Sequence, residues 1–376
     1  MRYLDTLSNK VKNYFNVLEP NIPDWLDEYI ESKNLQKQKY VSVSNGMIYT
    51  KMVDNNPYSS LEHSVAVALI IWHFTHDKKQ TLSGLFHDIA TPVFKHAIDF
   101  LNGDYMKQES TEYLTSYFIK TDKKIMSLLK RDGIKLEEVD NYHIYPVADN
   151  ETPHLAADRL EYSLSNAYIV YNNVNVSLED IRKIYNDIEI ETNEDGIQEL
   201  GFKTLKIAEK FVKITSKLSI LYRDEVSRYT YQFLADIVKK LNEDEKISKK
   251  DLFEKKESEI IKIIENSKYK KEYEIWKTSN KIHKSKYKPK NVYYVNQKAK
   301  IRYINPLVKG KRIYDISDNA RKNIDKNLSY KMDKYIYLDL NFWNCMKMQF
   351  FYFFTKKWKN SKKNSYIYNR RIFIMT

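Results

Sequence analysis

Residues Leu61 to Phe74 carry apolar side chains on nearly every helical face, so a helix here has to be buried on all sides. A polar side chain in such a helix needs a reason, and His63 sits near its start. Thr81 to Ile89 reads as a second buried helix. It ends in the pair His87-Asp88, with Pro92 where such a helix should stop or turn. Further on, Leu160, Leu164 and Ala167 fall at i, i+4 and i+7, one apolar stripe on a helix that opens with Asp158. Two imidazoles and two carboxylates, each at the polar edge of an apolar helix, can hold one divalent metal. Positions then remain for water and a phosphate oxygen. The mixed nitrogen and oxygen donors suit Mn, Fe, Ni, Co, Zn or Mg, with little to choose among them. A lone helical histidine is more often packed than a ligand, and His73 and His76 keep that reading. For Asp88 and Asp158 the alternative is a helix-end or salt-bridged carboxylate, but a carboxylate in a buried segment needs a cation or several donors.

With seven Gly and eight Pro in 376 residues, a turn-dense β fold is disfavoured, and the weight of Leu, Ile, Lys and Glu favours helices. The expected fold is mostly α, a helical bundle with a small mixed α/β C-terminal lobe. Residues 1–57 read as short helices, 58–243 as the body, 244–340 as a basic C-terminal lobe and 341–376 as an atypical basic and aromatic tail. In the first of these, Pro23 starts a helix and Ser44-Asn45-Gly46 makes a turn. From Ser177 to Leu241 amphipathic helices are expected. Val292 to Val295 and Lys300 to Ile304 read as a small β element. The tail holds Phe350-Phe351-Tyr352-Phe353-Phe354 among lysines: a segment packed on the body, an aggregation hazard, or the altered end of a shorter protein.

Charge is uneven. Residues 268–376 hold 28 Lys and Arg against 7 Asp and Glu, so the net +13 of the chain belongs to its last third and the remainder is acidic. A basic face can serve nucleic acid, an anionic membrane or phosphorylated ligands, or be a solvated surface. The single cysteine, Cys345, allows neither an internal disulfide nor a cysteine-based zinc site. No apolar run approaches a membrane span, and a cytoplasmic protein without membrane partners is expected, with a homo-oligomer left open.

Over Tyr58 to Ala167 the order His63, His87-Asp88, Asp158 resembles the HD superfamily of metal-dependent phosphohydrolases, named for its His-Asp pair. Leu85 through Asp99 resembles the HD-to-His segment of the deoxynucleoside triphosphate triphosphohydrolase branch. Arg302 through Val308 resembles a segment near the C-terminus of some HD proteins. The resemblance implies one divalent metal on His63, His87, Asp88 and Asp158. Such an ion polarises a phosphoryl oxygen and acidifies a water, which is the chemistry of phosphate-ester or phosphoanhydride hydrolysis. It also implies that Arg159 meets phosphate, that Tyr162 lies near phosphate or sugar, and that His96 and Asp99 line the catalytic pocket. Lys95 is a further phosphate candidate, or a solvated lysine.

The pattern departs from that branch at three places. Thr91 stands where the triphosphohydrolases carry a second histidine, and threonine is no general acid or base near neutral pH. Ser60 replaces an arginine and Gln108 a histidine. The first expectation is therefore hydrolysis of a phosphate ester or nucleotide (phosphomonoesterase, phosphodiesterase or nucleotidase) rather than triphosphate release from dNTPs. A nucleotide-binding regulatory protein with a weakened site is the second. Nucleic-acid binding through interleaved Tyr and Lys in the basic C-terminal third is the third.

Overall fold

The computed structural model describes residues 2–106 and 114–338. The expectations for Gln108 and for the tail, Cys345 included, fall outside these residues. As expected, the described chain is mostly helical with a minor strand component towards its C-terminus.

The N-terminal segment forms α1 (Asn9–Leu18), α2 (Asp24–Ile30) and α3 (Lys33–Lys37), with Pro23 capping α2 as its sequence predicts. Asn45 and Gly46 take positive φ in the turn before Met47, a backbone state that glycine adopts at no steric cost. The centre of the molecule is α4 (Ser60–Thr75), α5 (Lys78–Phe86) and α6 (His96–Leu101). A capping box starts α4: Ser59 accepts from the Glu62 N–H at 3.2 Å, and Glu62 accepts from the Ser59 N–H at 2.5 Å. Val65 through Ile71 are completely buried, as the apolar run demands. Asp77 caps α5 by accepting from Lys79 and Gln80 N–H groups at 2.8 and 3.2 Å.

Helices α7 (Thr115–Thr121) and α8 (Lys123–Arg131) lead to α9 (Ala157–Ser165), which packs on α4 and continues into a π-helical turn, Asn166–Val170. α10 (Leu178–Asn186) follows. The amphipathic helices expected between Ser177 and Leu241 are present as α10, α11 (Leu205–Leu221) and α12 (Glu225–Glu243), but β1 (Ile188–Thr192) and β2 (Gln198–Phe202) form an unexpected antiparallel hairpin before α11. Its alternating Ile188 and Ile190 and its Asp195-Gly196 turn are strand signals that the flanking helical periodicity masks. Then come α13 (Asp251–Glu254), α14 (Glu257–Glu265), α15 (Lys270–Thr278), β3 (His283–Ser285) and β4 (Tyr294–Val295). The order ends with β5 (Leu307–Val308), β6 (Lys311–Arg312), α16 (Ile313–Ile316), α17 (Asp318–Leu328) and β7 (Tyr335–Tyr337).

One sheet runs β1-β2-β5-β6, with β5 parallel to β2, and the other runs β3-β7-β4. Lys300 to Ile304 is not a strand, contrary to expectation. Its backbone is held by side chains instead, since the Arg302 carbonyl accepts from Ser219 Oγ and, at 2.9 Å, from Asn327 Nδ2. No helix among the described residues is long and apolar enough to cross a membrane.

Candidate metal centre

Three helices bring the four candidate ligands together. His63 lies in the first turn of α4, His87 and Asp88 at the end of α5, and Asp158 in the first turn of α9. The Nε2 atoms of His63 and His87 are 3.2 Å apart. Asp158 Oδ1 is 3.2 Å from His63 Nε2 and 3.7 Å from His87 Nε2. Asp88 Oδ2 is 3.8 and 3.7 Å from the same two nitrogens. Donor atoms of His63, His87 and Asp88 all lie within 4.8 Å of one another, close enough to share one ion.

Each imidazole is held from behind. His63 Nδ1–H donates to Glu161 Oε2, and His87 Nδ1–H donates to the Gly84 carbonyl at 2.7 Å. These bonds fix the tautomer that leaves both Nε2 atoms turned to the shared space, the usual preparation of histidine for a metal. Glu161 is fully buried, and it also accepts from Tyr58 OH at 2.9 Å, Tyr14 OH at 3.4 Å and Ser165 Oγ at 3.3 Å. It lies one helical turn beyond Asp158, so its place on the same face was readable, although its role as partner of His63 was not. Chemically, two imidazoles and two carboxylates with oriented rings fit a divalent cation.

The electrostatics favour positive charge at this spot, supplied either by a proton on His63 or by a metal that displaces it. Burial alone would lower the His63 pKa, but the carboxylates of Glu161 and Asp158 outweigh it and raise the value to about 9. Burial likewise favours neutral Asp88 and Asp158. The cations around Asp88, with Lys95 foremost, and the two histidines beside Asp158 overcome it, holding both carboxyls well below the usual range. This carboxylate pair therefore stays anionic and ready for a cation.

A cleft of about 760 Å³ opens over the four ligands. Of the other sequence candidates, Lys95, His96, Arg159 and Tyr162 line it. Lys95 Nζ donates to Asp88 Oδ2 at 2.5 Å. It does so from an uncommon backbone: Phe94 and Lys95 both have positive φ, at 61° and 41°. Asp99 is buried beneath the cleft and does not line it. It accepts from His96 Nδ1–H at 2.9 Å and so orients that ring. Arg159 is turned to the loop before α9, donating to Asn150 Oδ1 at 2.7 Å and lying 3.1 Å from Asp149 Oδ1.

The departures from the triphosphohydrolase pattern also find their places. Ser60 Oγ donates to Asp88 Oδ2 at 3.4 Å. Thr91 is buried outside the cleft, its carbonyl accepting from Lys37 Nζ at 3.1 Å and Gln38 Nε2 at 3.2 Å. Sequence reasoning did not find Tyr171, Tyr222, Tyr231, Lys300 or Arg302 in the cleft wall. The first four have no local signature, and Arg302, which opens the segment resembling some HD proteins, is brought to the cleft by the topology.

No protein-family model matches the chain. Among curated proteins it is 24% identical over 289 residues to the uncharacterised protein YdhJ of Bacillus subtilis, across 75% of this chain and 83% of that one. It is 26% identical over 133 residues to a Cordyceps militaris protein named metal-dependent phosphohydrolase cns2. That match spans 34% of this chain and 36% of the named relative. Among solved structures, a hypothetical protein from Aquifex aeolicus shares the fold with a TM-score of 0.56. The identity is 15%, over 85% of this chain and 93% of that one.

Proposed function

We propose that the protein is an HD-type metal-dependent phosphohydrolase acting on a phosphate ester or nucleotide. The observation that carries the reading is the convergence of His63 and His87 Nε2 atoms with the Asp88 and Asp158 carboxylates, both rings locked through Nδ1. The partial relative named a metal-dependent phosphohydrolase supports it at this coarse level, and nothing in that name supports the triphosphohydrolase branch. A bound divalent ion supplies Lewis acidity towards phosphate and acidifies a water.

The rest is work for this chain's own side chains. Lys95 and Arg159 offer charge-assisted donors to phosphate oxygens, and Tyr162 offers a hydroxyl. His96, held by Asp99, stands on the same cleft wall to carry a proton to or from the leaving group. The partner is accordingly a phosphorylated small molecule.

The test is metal content of the purified protein by mass spectrometry, with a screen of nucleotides and generic phosphate esters. Bound metal and hydrolysis of at least one ester are expected, and Asp88→Ala should lose both. Full metal occupancy in Asp88→Ala would overturn the ligand assignment. Metal-loaded protein inert towards every ester would favour a regulatory, ligand-binding role, to which the histidine-to-threonine change at Thr91 also points.

A further inference from the structure

We propose that Lys300 and Arg302 form a second anion subsite in the cleft. The preferred substrate is then a phosphate ester whose non-reacting part carries another anionic group, phosphate or carboxylate. The proposal rests on the phosphohydrolase reading and names the substrate class for the same cleft.

The chain around these residues belongs to no helix or strand, and its side chains differ in burial. Ala299 and Ile304 are buried in the core, Ile301 is exposed, and Lys300 and Arg302, two residues apart, both line the cleft. Two cations two residues apart are thus delivered to the one cleft. Their segment is preorganised. The Arg302 carbonyl is fixed by Ser219 Oγ from α11 and by the wholly buried Asn327 from α17, at 2.9 Å for the latter. Two side chains from two helices thus hold one peptide in a stretch that has no strand partner.

The neighbours suit an anion. Tyr162, Tyr222 and Tyr231 line the same cleft, and the Arg302 charge favours the ionised form of each, although burial keeps Tyr162 and Tyr222 neutral by a wide margin. Neutral tyrosine hydroxyls are donors. Burial lowers the His96 pKa against the pull of Asp99, and Arg302 and Lys95 both push it further down, so both cations lie near this ring in the cleft. One of these, Lys95, is already engaged with Asp88 at the metal site. A cleft of about 760 Å³ lined by Lys95 and by the Lys300–Arg302 pair accommodates a ligand charged at both ends.

The experiment is calorimetric binding to the metal-loaded full chain of alkyl phosphonates of increasing length, ending in methyl, carboxylate or a second phosphonate. At one length or more, the doubly charged ligands should bind about tenfold tighter than the methyl-ended one, the gain expected of one charge-assisted contact. Arg302→Ala should abolish that ratio, Lys300→Ala should reduce it and Arg302→Lys should retain part of it. The carboxylate and phosphonate arms show which second anion is preferred. Equal affinity of singly and doubly charged ligands at every length would overturn the proposal. So would an equal loss for both kinds in Arg302→Ala. If Arg302→Ala fails to fold by circular dichroism, Lys300→Ala and Arg302→Lys decide by the same ratio. Hydrolysis of 4-nitrophenyl phosphate is followed in parallel. No turnover of this or any screened ester, with the ratio intact, would remove the hydrolase reading and leave the subsite standing.

Discussion

At the scale of single residues, Glu161 decides how well the metal site is made. It is fully buried and takes the Nδ1 proton of His63. In Glu161→Gln the amide can still accept but no longer supplies the negative charge that holds the ring, so divalent-metal affinity should fall on the order of 10- to 100-fold. Metal titration by calorimetry checks this, and unchanged affinity would show that Glu161 only packs. Arg159→Ala should raise KM roughly ten- to hundredfold through lost phosphate donors, with metal content unchanged. Because Arg159 also ties Asn150 and Asp149, hydrogen exchange in the loop before α9 should quicken in the same variant. A KM that stays put while the loop loosens would make Arg159 a structural residue. The four ligand candidates were legible in sequence because each is a polar residue that a buried helix would not otherwise tolerate. Glu161 was half legible, sharing a helical face with Asp158. Lys300 was not, since an exposed lysine and a cleft lysine look alike along the chain, and Arg302 was visible only as the first residue of a resembling segment, without its place in the cleft.

At the scale of elements, the contact of α4 with α5 sets the spacing of the two histidines. Gly84 makes it possible. A Cβ there would lie 2.2 Å from Ile71 Cδ1 and 3.3 Å from Val67 Cγ1, and both side chains are fully buried with nowhere to retreat. Gly84 also supplies the carbonyl that holds His87 Nδ1. Gly84→Ala should therefore push α5 outward, destabilise the fold by about 1–3 kcal/mol and weaken metal binding. Chemical denaturation with a parallel metal titration measures both, and a variant as stable and as tightly metal-bound as the parent would refute this account of the interface. The helices were legible from periodicity and caps. The β1–β2 hairpin was not, because short strands between strong helical patterns yield to them in any local reading. The expected strand at 300–304 failed for the opposite reason: β-prone residues met side-chain partners before any neighbouring strand.

At the scale of the whole molecule, the C-terminal segments brace the cleft. Glu257, at the start of α14, is 2% exposed and accepts from the Ser42 and Phe94 N–H groups, each at 3.2 Å. It thereby pins the turn that carries Lys95. Burial pushes its carboxyl up to about 7, against those N–H groups, Tyr49 and the facing Lys37. A folded-state pKa above the ordinary 4.5 means that its contribution to stability is fully present below about 4.5 and is lost as pH rises through about 7. Glu257→Gln cannot titrate, so its Tm relative to the parent should improve between pH 5 and pH 8, by at least about 2 °C. A difference that does not change with pH would show that Glu257 is ionised throughout. The same long-range bracing has a consequence for the order in which the chain is made. The Gly201–Phe202 edge of β2 is closed by Leu307 and Val308, some hundred residues later. Until the ribosome has delivered those two residues that edge offers open hydrogen-bonding groups to any neighbouring chain, so the nascent protein depends on its own late C-terminal third to stay out of aggregates.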